Sequence, residues 1–190
     1  MLEQTTGLAA QLIYCSPTKV LHRAVVELDK QKNIIRLFNL EDNQVESAHT
    51  LFFDGIITGE IRSIKQHKTP EEIKGLASDY QYFDISDDTS GFGITVSNKP
   101  LMLDFGTNFP EEINRRLPCL IPVLGEFSIL EIIAACVYYP ALVLGESAML
   151  SPASPAQLLL WEGVDLVNKK VTEHTRIRSI HSSGLTLRKQ

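Results

Sequence analysis

A chain of 190 residues with 44% apolar and 22% charged side chains has the balance of a folded globular domain of ordinary size rather than of a disordered protein. Its net charge of −5, with no basic run longer than Arg115-Arg116 or Lys169-Lys170, excludes a surface built to track phosphates, so no nucleic-acid partner is expected. The longest apolar run, "IIAACVYYPALVLG", is broken by Pro140 and is shorter than the roughly 20 residues of a membrane helix, so no membrane is expected either.

The first 60 residues read as a β-meander. "GLAAQLIYC" is an apolar strand closed by "SPT". "KVLHRAVVELD" and "NIIRLFNL" flank "KQK" as a hairpin, with Asp29 to Asn33 supplying the turn chemistry. "EDNQVES" is a polar loop and "AHTLFFDGIIT" a fourth strand, rich in the β-branched and aromatic residues that suit a pleated surface.

The middle is mixed. In "KTPEEIKGLA", Thr69, Pro70 and Glu72 form a capping box that starts a short helix. "YQYFDIS" and "FGITVSNKPLMLDFG" return to strand character, with "SNKP" as the turn of a second hairpin. "NFPEEINRRL" predicts another short helix with Asn108 as its cap. In "EFSILEIIAACVYYPALVLG", Ser128 and Glu131 make a second capping box, and Ile129, Ile132, Ile133 and Cys136 recur at helical spacing. Pro140 interrupts that helix, and Gly145 ends a further turn. "SPASPA" is a stiff linker, "QLLLWEGVDL" a buried strand, "VNKKVTEHT" a polar loop, and "RIRSIHSSGLTLRK" one or two closing strands.

No repeat or low-complexity tract is visible. Strands at both ends enclosing helices argue for an α+β fold, mainly a β-sandwich or small barrel-like sheet in which the two ends of the chain pack together. Cys15, Cys119 and Cys136 are odd in number and lack a C-x-x-C pair, which fits a reducing compartment. Cys136 reads as a small buried hydrophobe. "MLEQTTGLAAQLIYCSP" has neither the basic leader nor the apolar core of a signal peptide, so a cytoplasmic location is expected.

"VVELDKQKNIIRLFNL" followed by "TLFFDGIIT" resembles the N-terminal region of metal-dependent amidohydrolases, where a small sandwich leads into a strand and a His-x-His metal pair. "SILEIIAACVYYPALVLG" is similar to that family's closing helix, and "LLLWEGVDLVNKKVTEHTRIRSI" to the strands that complete its sandwich. The resemblance implies one composite domain in three parts: an N-terminal half (1–62), a shortened insertion (63–127), and a closing helix with the C-terminal half (128–190). In the family a (β/α)₈ barrel of roughly 200 residues or more separates the halves. Only about 65 residues lie between Arg62 and Ser128, too few for eight βα units of roughly 30 residues each. No complete TIM barrel is therefore expected.

The same resemblance puts Glu60 and Arg62 at the two metal-ligating histidine positions, and Asn108 where the family carries an acid/base aspartate. An arginine has no lone pair for a metal, and an amide cannot take a proton at neutral pH. Expected, then, are no metal, no cofactor and no catalytic residue. Glu60, Arg62 and Asn108 are left as the lining of a remnant ligand pocket. Glu60 and Arg62, two apart on an extended segment, have a plainer alternative as a surface ion pair.

No other motif supplies chemistry. His22, His49, His67, His174 and His181 make no H-x-H, H-x-x-H or H-x-x-x-H pair. Asp84, Asp87 and Asp88 have the oxygens for a hard cation but not EF-hand spacing. Ser147 lacks the second glycine of a nucleophile elbow, and "GFG" at 91–93 is not a phosphate loop. Three readings remain: a non-catalytic interaction or assembly protein, with a homodimer or protein partner; a module that senses a metabolite; and, as an alternative, a hydrolase of carbon–nitrogen bonds with a rearranged site.

Overall fold

The structure is a computed structural model that describes residues 6–41, 50–85, 97–153 and 157–180. In chain order its elements are β1 (Thr6–Ser16), β2 (Lys19–Leu28), β3 (Ile34–Asn39), β4 (Thr50–Thr58), α1 (Pro70–Leu76), β5 (Gln81–Asp84), β6 (Leu101–Asp104), α2 (Pro110–Leu124), α3 (Ile129–Ile133), α4 (Tyr139–Val143), β7 (Leu158–Glu162) and β8 (Arg176–Ile180). A π-helical turn, Ala134–Tyr138, joins α3 to α4. Six strands form one sheet in the order β3-β2-β1-β4-β7-β8, and β5 and β6 form a separate parallel pair. The fold is α+β and mostly strand, its main sheet is built from both ends of the chain, and no closed barrel occurs among the described residues.

The first four strands depart from a meander. β2 and β3 add antiparallel as a hairpin chain, but β4 returns beside β1 in parallel. The reason lies in β1, which is buried along nearly its whole length. A strand apolar on both faces is stable only between two neighbours and between two covering layers. β4 supplies the second neighbour, and β7 then pairs antiparallel with β4 from its other side. Against Ala10–Leu12 of β1, β4 runs from Phe53 to Ile56, one residue longer, so a bulge sits at Asp54–Gly55. Gly55 is required there: a Cβ would come closer than 3.0 Å to the Trp161 carbonyl oxygen.

One face of the sheet, with Leu12, Tyr14, Ile56, Trp161 and Ile177, packs on β6, α2, α3 and the π-turn. The other gathers Leu8, Ile13, Val26, Ile57 and Leu160. Both sheet edges carry a non-strand partner. The Asn114 side chain of α2 accepts from the Ile177 N–H of β8 (2.8 Å) and donates to the same residue's carbonyl (2.6 Å), as a neighbouring strand would. The Ala153 N–H donates to the Ile34 carbonyl of β3 (2.7 Å).

Both capping boxes form as expected, Thr69 with Glu72 and Ser128 with Glu131. Other expectations need correction. Asn108 does not cap α2: the N-cap is Phe109, without a side-chain bond. That helix also runs on through Pro118 and Pro122 to Leu124. Both prolines are exposed, while Ile113, Leu117, Leu120 and Leu124 are buried opposite them, so water can serve the carbonyls that lose their donors. Pro140 does not break the last helix, because it falls in the first turn of α4, where no N–H is needed. Of the second expected hairpin, the arm at 92–96 lies outside the described residues; the other arm, β6, pairs in parallel with β5.

Candidate functional site

The site follows directly from the end of β4. Residues 60–63 continue extended, with Ile61 and Ser63 fully buried and Glu60 and Arg62 half-buried on the opposite side. The Arg62 N–H donates to the Cys136 carbonyl (3.3 Å). Cys136 lies within the π-turn, whose wider winding leaves a carbonyl available to a strand-like neighbour. The segment is thus pinned to the helical layer by its backbone.

The two side chains meet. Arg62 pairs with Glu60 through Nη1 and with Glu146 through Nε (2.6 Å to Oε2). Gln157, with its amide nitrogen turned toward Glu60, donates to the same carboxylate (3.1 Å to Oε1). One guanidinium therefore serves two carboxylates, and the group carries one negative charge in excess. The side chains are 22% (Glu60), 27% (Arg62) and 38% (Glu146) exposed. They line a cavity of about 400 Å³ whose apolar wall includes Val137, Ala141 and Leu150.

Asn108 stands on the far side of Glu60. Its Oδ1 accepts from the Ser63 N–H (2.8 Å), and it lines with Glu60 a second cavity of about 530 Å³ that also holds Lys32, Phe109 and Glu111. Glu60 faces both cavities, Arg62 only the first, and Asn108 only the second. The structure thus brings Glu60 and Arg62 together and separates Asn108 from Arg62.

Beneath them lies Asp104, fully buried. Its Oδ1 accepts from the Ser63 hydroxyl and the Gly106 N–H, and its Oδ2 from the Lys65 N–H, all at 2.8 Å. The Tyr82 hydroxyl donates to Oδ2 as well (3.0 Å). This carboxylate ties residues 63–65 to β5 and to the turn after β6, and so sets the position of Arg62. The expected site residues do not include Asp104, Glu146 or Gln157. Asp104 has a signal, a lone charge inside the apolar run "LMLDFG"; Glu146 and Gln157 have none, since only the tertiary fold brings them to Arg62.

The divalent metal that the resemblance implies does not fit these residues. The Arg62 guanidinium, bound into two carboxylates, offers no lone pair and repels a cation. Among the described residues no group of three His, Cys, Asp or Glu side chains is arranged to hold a metal ion. His22, His67 and His174 are exposed and apart, and Asp84 pairs with Lys65 (2.7 Å). His49, His181, Asp87, Asp88 and the 91–93 glycines lie outside the described residues. Cys136 is buried, its Sγ donating to the Ile132 carbonyl (3.0 Å), and burial pushes its thiol well above the usual range. Ser147 lines the first cavity, with its hydroxyl on the Met149 carbonyl (3.3 Å). No described helix is long and apolar enough to cross a membrane.

No family model and no curated protein matches the chain. No family is assigned. Among solved structures, an N-acetyl-D-glucosamine-6-phosphate deacetylase mutant from Mycobacterium smegmatis, in complex with N-acetyl-D-glucosamine-6-phosphate, aligns with a TM-score of 0.26 and 12% identity. The alignment covers 65% of this chain and 30% of the deacetylase. A likeness of that extent says nothing about activity.

Proposed function

We propose that this chain is a non-catalytic, amidohydrolase-like composite domain that binds a small ligand beside Arg62. In this reading residues 1–62 and 128–190 are the two halves of the domain, and 63–127 is the shortened insertion between them. The observation that carries the proposal is the position of Arg62, held between Glu60 and Glu146 on the wall of an apolar-backed cavity of about 400 Å³. A permanent internal ion pair at the would-be metal position favours recognition over hydrolysis. The excess carboxylate selects the ligand: a molecule with an ammonium end, paired with Glu146, and an apolar remainder against Val137 and Leu150.

A thermal-shift screen of purified protein against amines, carboxylates and neutral sugars tests this. Stabilisation by amines, lost in Glu146→Gln, is the expected result. Stoichiometric zinc, iron or manganese in the purified protein, or turnover of a cyclic amide, overturns it. Assembly belongs to the same proposal: in this reading the composite domain offers a homodimer or protein partner the face that a barrel would cover. Light scattering that finds only monomer at high concentration removes the homodimer.

A further inference from the structure

The second cavity, of about 530 Å³, differs in character from the one beside Arg62. Its volume falls within the roughly 300–1,000 Å³ of small-molecule sites. Phe109 stands on its wall, 63% exposed, beside the buried Pro110, Leu158 and Leu159. Two things about Phe109 run against local preference. It is the N-cap of the 15-residue α2, a place that favours Ser, Thr, Asp or Asn, and it makes no side-chain capping bond. It also leaves a large apolar ring in water. A local rule broken without a packing gain points to a functional position.

The polar groups around Phe109 are of two kinds. Glu60 is committed to Arg62 and Gln157. Glu146, the carboxylate that leaves that group in negative excess, lines only the first cavity. The others are uncommitted. The Asn108 Oδ1 is fixed on the Ser63 N–H, so its NH₂ is held as an oriented donor with no partner among the described residues. The Ser179 hydroxyl likewise has no described partner, and neither group is sealed from solvent. Gln157, with its nitrogen on Glu60, keeps its carbonyl oxygen as an acceptor. Lys32 and Glu111, both exposed and outside any ion pair among the described residues, add one charge of each sign.

The cavity therefore balances its charges, mixes donors with acceptors, and sets them around one exposed aromatic ring. A charged ligand finds no net counter-charge here, and a wholly apolar one would strand the Asn108 amide and the Ser179 hydroxyl away from water. A pyranose avoids both costs, because each hydroxyl donates and accepts while its C–H face is apolar. We propose that this cavity binds an uncharged monosaccharide ring, its C–H face stacked on Phe109 and its hydroxyls bonded to the Asn108 NH₂ and the Ser179 hydroxyl. The site shares only Glu60 and Gln157 with the lining of the cavity beside Arg62, and stands or falls separately from it.

The test is a ligand-observed NMR titration of the full chain with the methyl pyranosides of glucose, galactose, mannose and xylose. Sorbitol, which has the hydroxyls without the ring, and gluconate, which adds a charge, are the controls. At least one pyranoside should bind in the millimolar range, about tenfold tighter than either control. Phe109→Ala, at an exposed position, should weaken that pyranoside about tenfold, whereas Phe109→Trp, with a larger face, should keep it. Asn108→Asp retains the oxygen on the Ser63 N–H but loses the donor, and Ser179→Ala loses the hydroxyl; each should lower the affinity several-fold with the far-UV circular dichroism unchanged. Glu146→Gln should leave sugar binding as it is, which separates this site from the one beside Arg62. Saturation by no pyranoside up to about 100 mM, a control that binds as tightly, affinity that survives Phe109→Ala, or loss of binding in Glu146→Gln overturns the proposal.

Discussion

Asp104→Ala probes the least replaceable contact beneath the site. The carboxylate is fully buried and accepts from four donors. When it is removed, the hydroxyls of Ser63 and Tyr82 can rotate toward other acceptors, but the N–H groups of Lys65 and Gly106 are fixed by the backbone. Each buried donor left unpaired costs roughly 1–3 kcal/mol. Both of these bonds are only partly buried, so the expected total is about 3 kcal/mol rather than the upper limit for two such donors. Asp104→Asn retains one acceptor oxygen and places its NH₂ against the remaining donors, with an expected loss of about 2 kcal/mol. Urea unfolding followed by far-UV circular dichroism reads this directly. With a slope of about 2 kcal/mol per molar urea, the midpoint should fall by about 1.5 M for alanine and about 1 M for asparagine at unchanged slope. A double-mutant cycle with Ser63→Ala should show coupling between the two positions. A loss for alanine under about 1 kcal/mol, or an asparagine variant as stable as wild type, refutes the assignment of Asp104 as the anchor of residues 63–65.

Arg62→Met should cost about 1 kcal/mol, discounted because all three partners are partly solvated; adding Glu60→Gln should recover most of it by removing the like-charge contact with Glu146, and a further loss instead contradicts the shared-guanidinium geometry. Gly55→Ala should destabilise by about 3 kcal/mol, since its methyl collides with the Trp161 carbonyl across the β4–β7 pairing; an unchanged thermal midpoint argues against the bulge. Asn168 holds the Asp165 carboxyl below its ordinary range, first through its backbone N–H and then through its side-chain amide. A depressed folded pKa means that the stabilisation is present above the unfolded value and is lost as pH falls through the folded one. Asn168→Ala removes the side-chain amide and keeps the backbone N–H, so in an NMR titration Asp165 should titrate at lower pH in wild type than in the variant, and coincident curves reject the side-chain contribution.

Much of this fold was legible because its signals are local. The alternation and apolar runs of β1 to β4, and the pairs Thr69–Glu72 and Ser128–Glu131, act within a few residues of themselves. The misreadings arose where distant parts decide. A parallel place for β4 follows from the need to cover both sides of β1, which no window around residue 50 contains. Asn108 looks like a helix cap in "NFPEE", but the Ser63 N–H, 45 residues away in sequence, takes its oxygen instead. Pro118 and Pro122 argue locally for a helix end and are overridden by the buried stripe opposite them. In the site, Glu60 and Arg62 were visible as a pair, whereas Glu146 and Gln157 reach them only after β7 docks on β4.

The Asn114 amide on Ile177 and the Ala153 N–H on Ile34 have a consequence for how two copies of this chain can meet. An outermost strand with free amides is an invitation to recruit a strand from a neighbour, in an ordered dimer or in a runaway fibre. Here each flank has a plug where that recruitment would begin. Edge-to-edge pairing of copies is obstructed at these two points, and loosening the plug on β8 by Asn114→Ala should turn the protein toward lateral polymerisation.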